Sequence, residues 1–194
     1  MRKDVYLFRH GQTDANKEHR WQGCGINLSL NEEGRVQAFS VLEKLRNAGL
    51  ECIFSSPLKR ALETAEIVAE ALNLPVKVRE EFREGCFGEA EGITTAELDE
   101  LWPDISSRWK NPEELDVGYP GGETKRQIQE RMFAALNTLL DEDYDVFGVA
   151  THGSALRNLL IYLGLIWAGL PMERFFIWFM KTAAGGRKPL IKPT

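Results

Sequence analysis

The sequence predicts an α/β fold in which a mostly parallel sheet is covered by helices on both faces. Three observations predict it. Short apolar runs alternate with segments of helical periodicity along most of the 194 residues. Two of those runs, Val5 to Phe8 and Val146 to Ala150, stop abruptly before a His followed by a Gly, as buried strands do where they reach a functional loop. No repeat, low-complexity tract or Gly/Ser linker divides the chain, so residues 1–194 read as one domain, long enough to bury a real core.

Each element has a local reason. Val5 to Phe8 is a buried strand ending in Arg9-His10-Gly11. Val36, Phe39, Leu42, Leu45 and Ala48 recur at helical spacing, and Gly49 stops that helix. Cys52 to Phe54 is a second strand. Ser55-Ser56-Pro57 reads as a helix start, with a Ser cap and Pro at the first helical position, and Leu58, Ala61, Leu62, Ala65, Val68 and Leu72 form the apolar stripe. Val76 to Val78 is a third strand. Residues 92–122 are mixed and polar, broken by Pro103, Pro112 and Pro120, and read as a short helix from Thr95 plus a covering loop. Ile128, Met132, Ala135, Leu136 and Leu139 mark an amphipathic helix whose apolar side is core. Val146 to Ala150 is a buried strand stopping at Thr151-His152-Gly153, and a helix resumes from Ser154.

Composition excludes several classes. With 43% apolar and 27% charged residues, disorder, collagen and a disulfide-stapled miniprotein do not fit. A formal net charge of −5 argues against a dedicated nucleic-acid binder, although a few buried arginines make a positive pocket on an acidic protein. Cys24, Cys52 and Cys86 are odd in number and lack a Cys-x-x-Cys pair, so neither a disulfide framework nor a zinc site is signalled, and reduced thiols in a cytoplasmic protein are expected. The opening apolar run is too short for a signal-peptide core. Leu159 to Met180 has about the length of a membrane span. Pro171, Glu173 and Arg174 interrupt it, and each charge near a bilayer centre costs roughly 2.5–3.5 kcal/mol; a core helix followed by a strand explains it better, so no membrane partner is expected.

Two of the three histidines, His10 and His152, occupy equivalent strand exits. Arg9 directly precedes His10, and a buried strand end is a costly place for an unpaired guanidinium. Gly11 and Gly153 remove side chains that would keep a ligand from backbone N–H groups. Arg60 falls in the first turn of its helix, where open amides and the helix dipole also favour an anion. Two arginines, two histidines and exposed amides converging on one point describe a site for a phosphate-sized dianion. Phosphate is also the substrate for which a neutral imidazole serves as nucleophile. The arginines then stabilise the charge on the non-bridging oxygens, and a carboxyl group shielded from water protonates the leaving alkoxide.

Arg9-His10-Gly11-Gln12-Thr13-Asp14-Ala15-Asn16 resembles the Arg-His-Gly-x-Thr-x-x-Asn opening of the histidine phosphatase superfamily, in its phosphoglycerate mutase-like branch. The resemblance extends through Gln22-Gly23, Ser55-Ser56-Pro57-Leu58-Lys59-Arg60-Ala61, Glu84-x-x-Phe87-Gly88-x-x-Glu91-Gly92, Pro120-Gly121-Gly122-Glu123 and Thr151-His152-Gly153, over about residues 5–165. The ordered set is far more specific than any single motif. It implies a phosphoglycerate mutase-like three-layer α/β/α sandwich with a mostly parallel central sheet, and a phosphatase needing no metal and no organic cofactor. It implies His10 as the phosphorylated nucleophile, Arg9, Arg60 and His152 as phosphate ligands, and Asn16, Gln22, Gly23 and the Gly153 amide as assisting groups. Glu84 matches the proton donor, and Glu123 follows the Gly-Gly-Glu element near the rim.

The chain departs from the family pattern in places. Cys24-Gly25-Ile26-Asn27 carries one extra residue, Asn27 stands where Asp is common, Ala90 replaces a frequent Trp, and Ser154 replaces a frequent second Gly. Beyond Leu165 the match fades, residues 185–194 read as a tail, and Phe175 to Phe179 would suit an interface if exposed. His19 reads as surface, Glu81 as the rival to Glu84, Glu91 as structural, and Asp141 to Asp145 as a solvated loop preceding a strand. The position six residues after each cysteine holds Leu30, Leu58 or Gly92, so a cysteine phosphatase fails on spacing, and there is no P-loop and no His-Glu-x-x-His. The expected substrate is a small-molecule phosphate ester, with α-ribazole phosphate compatible if Trp102, Trp109 and Tyr119 stack on a ring instead of packing. A phosphoglycerate mutase and a silent phosphate-binding module are the alternatives; family mutases are usually longer. Monomer and homodimer are both open.

Overall fold

The computed structural model describes residues 3–165, 177–181 and 190–193. Six strands form one sheet: β1 (Asp4–Arg9), β2 (Cys52–Ser55), β3 (Val76–Val78), β4 (Val146–Thr151), β5 (Ile177–Lys181) and β6 (Leu190–Pro193). Their order is β3-β2-β4-β1-β5-β6. The β3–β2, β2–β4 and β4–β1 pairs are parallel, whereas β5 runs antiparallel to β1 and β6 antiparallel to β5. The helices are α1 (Asp14–Lys17), α2 (Glu32–Leu45), α3 (Lys59–Leu72), α4 (Thr95–Leu101), α5 (Pro103–Lys110), α6 (Lys125–Leu139) and α7 (Gly153–Tyr162).

Period-two alternation along the strands creates two cores, and hence three layers. Val5, Leu7, Cys52, Phe54, Phe147 and Val149 point to one face and pack with Ile128, Met132, Leu136 and Leu159 of α6 and α7. Phe8, Ile53 and Ala150 point to the other face and meet Val41, Leu42, Leu45, Ala65 and Val68 of α2 and α3. Residues 95–119, which carry α4 and α5, extend the first core, with Leu98, Trp102, Trp109 and Tyr119 packed into it. The α/β sandwich expected from the alternation is therefore present.

The structure differs from the sequence reading in four places. In α2 the buried residues are Gly34, Ala38, Val41, Leu42 and Leu45, while Val36 and Phe39 are 60% and 55% exposed. The stripe is rotated because Gly34 must face inward: a Cβ there would strike the Gln12 backbone, and one at Gly11 would strike the Gly34 carbonyl. Secondly, the helix expected from Ser56 starts at Lys59, and its first N–H bonds to Asn27 Oδ1 at 2.7 Å, so Asn27 supplies the cap from a distant loop. Thirdly, Leu190–Pro193 pairs with β5, so these residues are sheet and not tail; residues 185–189 lie outside the described residues. Lastly, Pro103 does not break the chain into a covering loop but opens a second helix, α5, because proline fits the first helical turn. The stretch from Leu159 to Met180 is a helix and then a strand, as read from the sequence: α7 ends at Tyr162 and β5 begins at Ile177, with residues 166–176 outside the described residues, Phe175 and Phe176 among them. No helix among the described residues is long and apolar enough to cross a membrane.

The rotated α2 face yields a test. Leu42→Ala should cost about 2–5 kcal/mol in urea unfolding, whereas Phe39→Ala should stay within roughly 1 kcal/mol of the parent. Equal losses would show that Phe39 is core after all.

Candidate active site

The sheet order brings β2, β4 and β1 side by side, so their carboxyl ends meet. Register pairs Arg9 with Thr151 and Ser55 with Ala150. The His10 N–H bonds to the Thr151 carbonyl and the Ser56 N–H to the Ala150 carbonyl, both at 3.0 Å, carrying the ladder one residue past the strands. His10, Ser56 and His152 are thus neighbours by topology, and the two imidazole centroids lie 5.1 Å apart. This is the strand-end position where ligands of open α/β sheets bind.

His10 Nδ1 lies 2.6 Å from its neighbour's carbonyl, Gly11 O. A carbonyl only accepts, so Nδ1 carries the proton and Nε2 presents its lone pair. Arg60 Nε donates to that Nε2 at 3.3 Å. Arg60 is 1% exposed; its other two nitrogens, Nη1 and Nη2, donate to Ile26 O and Gly23 O, each at 2.8 Å. His152 Nε2 is 2.7 Å from Ser56 Oγ, while its buried Nδ1 has no protein partner. The buried Gln22 Oε1 has none either. Two orphaned polar atoms beside a buried guanidinium mark a place shaped for a polar ligand.

Glu84 closes the group from the opposite side. Its carboxylate accepts from Gly85 N (2.9 Å), Ser154 N (3.0 Å) and Ala155 N (2.7 Å). His152 occupies the α7 N-cap position but makes no side-chain cap bond, so Glu84 caps this helix from a remote segment, favoured there by the helix dipole. The competitor Glu81 is exposed in a short 3-10 turn and does not line the cavity.

The cavity measures about 580 Å³. Arg9, His10, Asn16, Gln22, Gly23, Arg60, Glu84 and Gly153 line it, together with Lys17, Arg20, Lys110, Lys125 and Arg157. His152 lies just beneath, fully buried. Asn16 spends its Oδ1 on the Thr13 N–H and hydroxyl, each at 3.1 Å, which leaves Nδ2 as its available donor. Glu84 is the one carboxylate among these lining residues, although the whole chain is acidic. Burial therefore acts on a concentrated positive charge. It pulls the His10 imidazole well below its usual value near 6.5, and Arg60 and Arg9 pull the same way. His152 is lowered by burial and then by Arg60 and His10. Arg60 itself comes down to about 10 through burial, opposed by Glu84.

Three expectations need correcting. The Gly11 N–H does not face a ligand: it bonds to Thr64 Oγ1 at 3.0 Å, and glycine is required there by contact with Gly34. Glu123 is not on the cavity wall. Burial alone would raise its carboxyl, but the Arg131 guanidinium and the Cys86 N–H hold it below the usual range. Arg131 also donates to the carbonyls of Glu81, Arg83 and Glu84, so this pair props the Glu84 segment from behind. Lastly, Cys24 and Cys86 are not free thiols: they form a disulfide, Sγ–Sγ 2.05 Å and Cα–Cα 4.7 Å. Their separation of 62 residues carries no pairing signal; the fold brings them together. Cys52 alone is free, and buried.

Sequence reasoning missed Ser56 and Thr64, whose hydroxyls serve His152 and the Gly11 amide; an isolated Ser or Thr beside a motif gives no warning of this. Glu91 is structural, as expected. Its carboxylate accepts from the N–H groups of Cys24, Gly25 and Phe87, and Gly23, at φ +56°, leaves room for it. His19, read as surface, is exposed but at the cavity rim, with φ 56°. Among the described residues no three His, Cys, Asp or Glu side chains gather as a metal site.

A family model described as the histidine phosphatase superfamily (branch 1) matches residues 5–184. The chain is 34% identical over 158 residues to the uncharacterized phosphatase PhoE of Bacillus subtilis (strain 168), covering 80% of this chain and 75% of that protein. Among solved structures, YhfR of Bacillus stearothermophilus superposes with a TM-score of 0.87 at 27% identity, over 98% of this chain and 96% of the other. The mycobacterial glucosyl-3-phosphoglycerate phosphatase in complex with VO3 superposes with a TM-score of 0.85 at 26% identity, covering 98% and 97% of the two chains. A parallel sheet ending in two buried histidines and a guanidinium, with that ordered motif set, makes this chain a member of the histidine phosphatase superfamily, branch 1, and a phosphatase.

Proposed function

We propose that the protein is a metal-independent phosphomonoesterase of small phosphorylated metabolites, working through a phosphohistidine at His10. The observation that carries the reading is the His10 ring: its Nδ1–H is fixed on Gly11 O, and its Nε2 lone pair is turned toward the Arg60 guanidinium. Nε2 attacks phosphorus and the ester P–O bond breaks. The imidazole gains positive charge as the P–N bond forms, which strengthens the Nδ1–H bond to Gly11 O. Arg9, Arg60, the His152 Nδ1–H and the Gly153 amide take the non-bridging oxygens, with Asn16, Gln22 and Gly23 around them. Glu84 takes up a proton as the anionic ester binds and gives it to the leaving oxygen. It then removes one from the water that breaks the P–N bond, releasing phosphate and restoring neutral His10.

The guanidiniums supply the charge stabilisation that a metal supplies elsewhere, which supports metal independence. For the leaving group, the aromatic rings argue for packing. Trp21 meets Phe87, Trp109 and Tyr119 edge to face and Phe87 meets Trp109 likewise, so these cavity-lining rings are packed on one another, with Tyr119 buried; Trp102 does not line the cavity. An α-ribazole-like ester is therefore one member of a substrate screen and not its premise. The cationic wall suits an anionic ester in general.

Purified protein should release phosphate from an aryl phosphate in the presence of EDTA, and His10→Ala should remove at least 10³-fold of that rate, on the order expected for loss of a nucleophile. Glu84→Gln should cost roughly 10²–10⁴-fold on alkyl esters and much less on activated aryl esters. Loss of activity with EDTA, or an active His10→Ala protein, would overturn the mechanism.

The lowered imidazoles also set a pH dependence of stability. His10 and His152 are neutral in the fold, while the unfolded chain protonates both below about pH 6.5. The unfolded state then binds more protons, so the stability present above pH 6.5 is lost as pH falls toward the folded-state values. The slope is about 1.4 kcal/mol per pH unit for each ring. Unfolding midpoints measured from pH 7 to pH 5 should fall accordingly, and a saturating phosphate analogue such as vanadate should offset the fall. A flat profile would show that the rings are not buried neutral.

A further inference from the structure

The Cys24–Cys86 bond joins the two loops that carry the two halves of the proposed chemistry. On one side, Cys24 lies between Gly23 and Ile26, whose carbonyls hold the two ends of the Arg60 guanidinium. On the other side, only Gly85 separates Cys86 from Glu84. The Cys86 N–H donates to Glu123 Oε2 at 2.9 Å, its carbonyl accepts from the Glu123 N–H at 2.6 Å, and a Cβ on Gly85 would press on Ile128. The bond is thus a short covalent strut between the group that grips the phosphoryl oxygens and the group that protonates the leaving atom. The Glu91 carboxylate is the parallel, non-covalent strut, binding the N–H groups of Cys24, Gly25 and Phe87.

Both bonded cysteines are partly exposed, whereas Cys52 is buried and its thiol is pushed up by that burial. A dithiol in solution can therefore reach the bond. One thiolate attacks a cystine sulfur, the second displaces the mixed disulfide, and two protein thiols and one oxidised reductant result. We propose that Cys24 and Cys86 are a positioning pair for the phosphatase reaction, and that reducing their bond selectively slows turnover of esters with poor leaving groups. The proposal rests on the reading that Glu84 protonates the leaving oxygen. Holding an acid within about an ångström of its target is what that step demands, and freeing Cys86 loosens the segment on which the acid sits.

The test uses the full-length protein purified without reductant. Thiol titration under denaturing conditions should find one free thiol, rising to three with dithiothreitol. Turnover is then measured on 4-nitrophenyl phosphate and on an unactivated alkyl phosphate, before and after reduction. Reduction should lower kcat on the alkyl ester ~10-fold and on the aryl ester less than ~3-fold, with recovery on reoxidation by oxidised glutathione. In Glu84→Gln the alkyl-to-aryl ratio should no longer respond to reductant, since the acid that the strut positions is gone. Cys86→Ser should show the reduced enzyme's ratio whether or not reductant is present. Equal losses on both esters would mean general loosening and would overturn the proposal, as would three free thiols in the purified protein. An active oxidised enzyme indifferent to reductant overturns this inference alone; an oxidised enzyme inactive on both esters overturns the phosphatase reading with it.

Discussion

A single buried guanidinium organises this molecule. Arg60 is almost wholly removed from water, and a desolvated cation is tolerable only if its donors are met. Its Nη atoms take the carbonyls of Gly23 and Ile26, which obliges the 22–27 segment to curl over the start of α3. That curl delivers Asn27 to the first amide of the helix, Gln22 to the cavity, and Cys24 to Cys86. Glu91 then collects the amides left open along the loop. What began as the solvation problem of one side chain fixes the shape of one wall of the site.

The same logic explains how an acidic chain builds a cationic pocket. Most of its carboxylates stand outside, several paired with surface cations, as in Arg108–Glu114, Arg126–Asp116 and Arg46–Glu43. Such exposed pairs contribute little to stability. They do, however, leave the interior field to Arg9 and Arg60, with Glu84 as the opposing charge. Burial first, and then that field, hold both imidazoles well below their usual value, which favours the neutral form that the proposed nucleophile, His10, needs. Lys125 shows the same field farther out: burial, with Arg157 nearby, brings it down to about 8, while its ammonium holds the carbonyls of Arg108, Trp109 and Asn111 over the cavity.

Much of this was legible in the sequence. The strand runs at residues 5–8, 52–54, 76–78 and 146–150, the inward faces of α6 and most of α3, and the meeting of His10, His152 and Arg60 follow from periodicity and strand-end placement, whereas Glu84 joins them only through the family resemblance. What could not be read depends on contacts between distant segments. The α2 stripe misleads because Val36 and Phe39 share the spacing of core residues, while the close approach of Gly11 and Gly34 sets the rotation. The start of α3 misleads because its cap comes from Asn27 instead of a neighbouring Ser. Ser56 and Thr64 gain their roles only once β2 and α3 stand beside the histidines. The disulfide is the extreme case: two cysteines 62 positions apart share no local pattern.

Glu84 also closes the open first turn of α7. In the proposed reaction, one carboxylate therefore serves both the chemistry and the architecture. A descendant of this chain that drifted toward mere ligand binding could not discard the acid freely, because the helix carrying Gly153 would lose its lid of hydrogen bonds. Inactive relatives built on this plan would be expected to retain an acidic or amide side chain there long after the need for proton transfer had vanished, so its persistence alone is poor evidence of turnover.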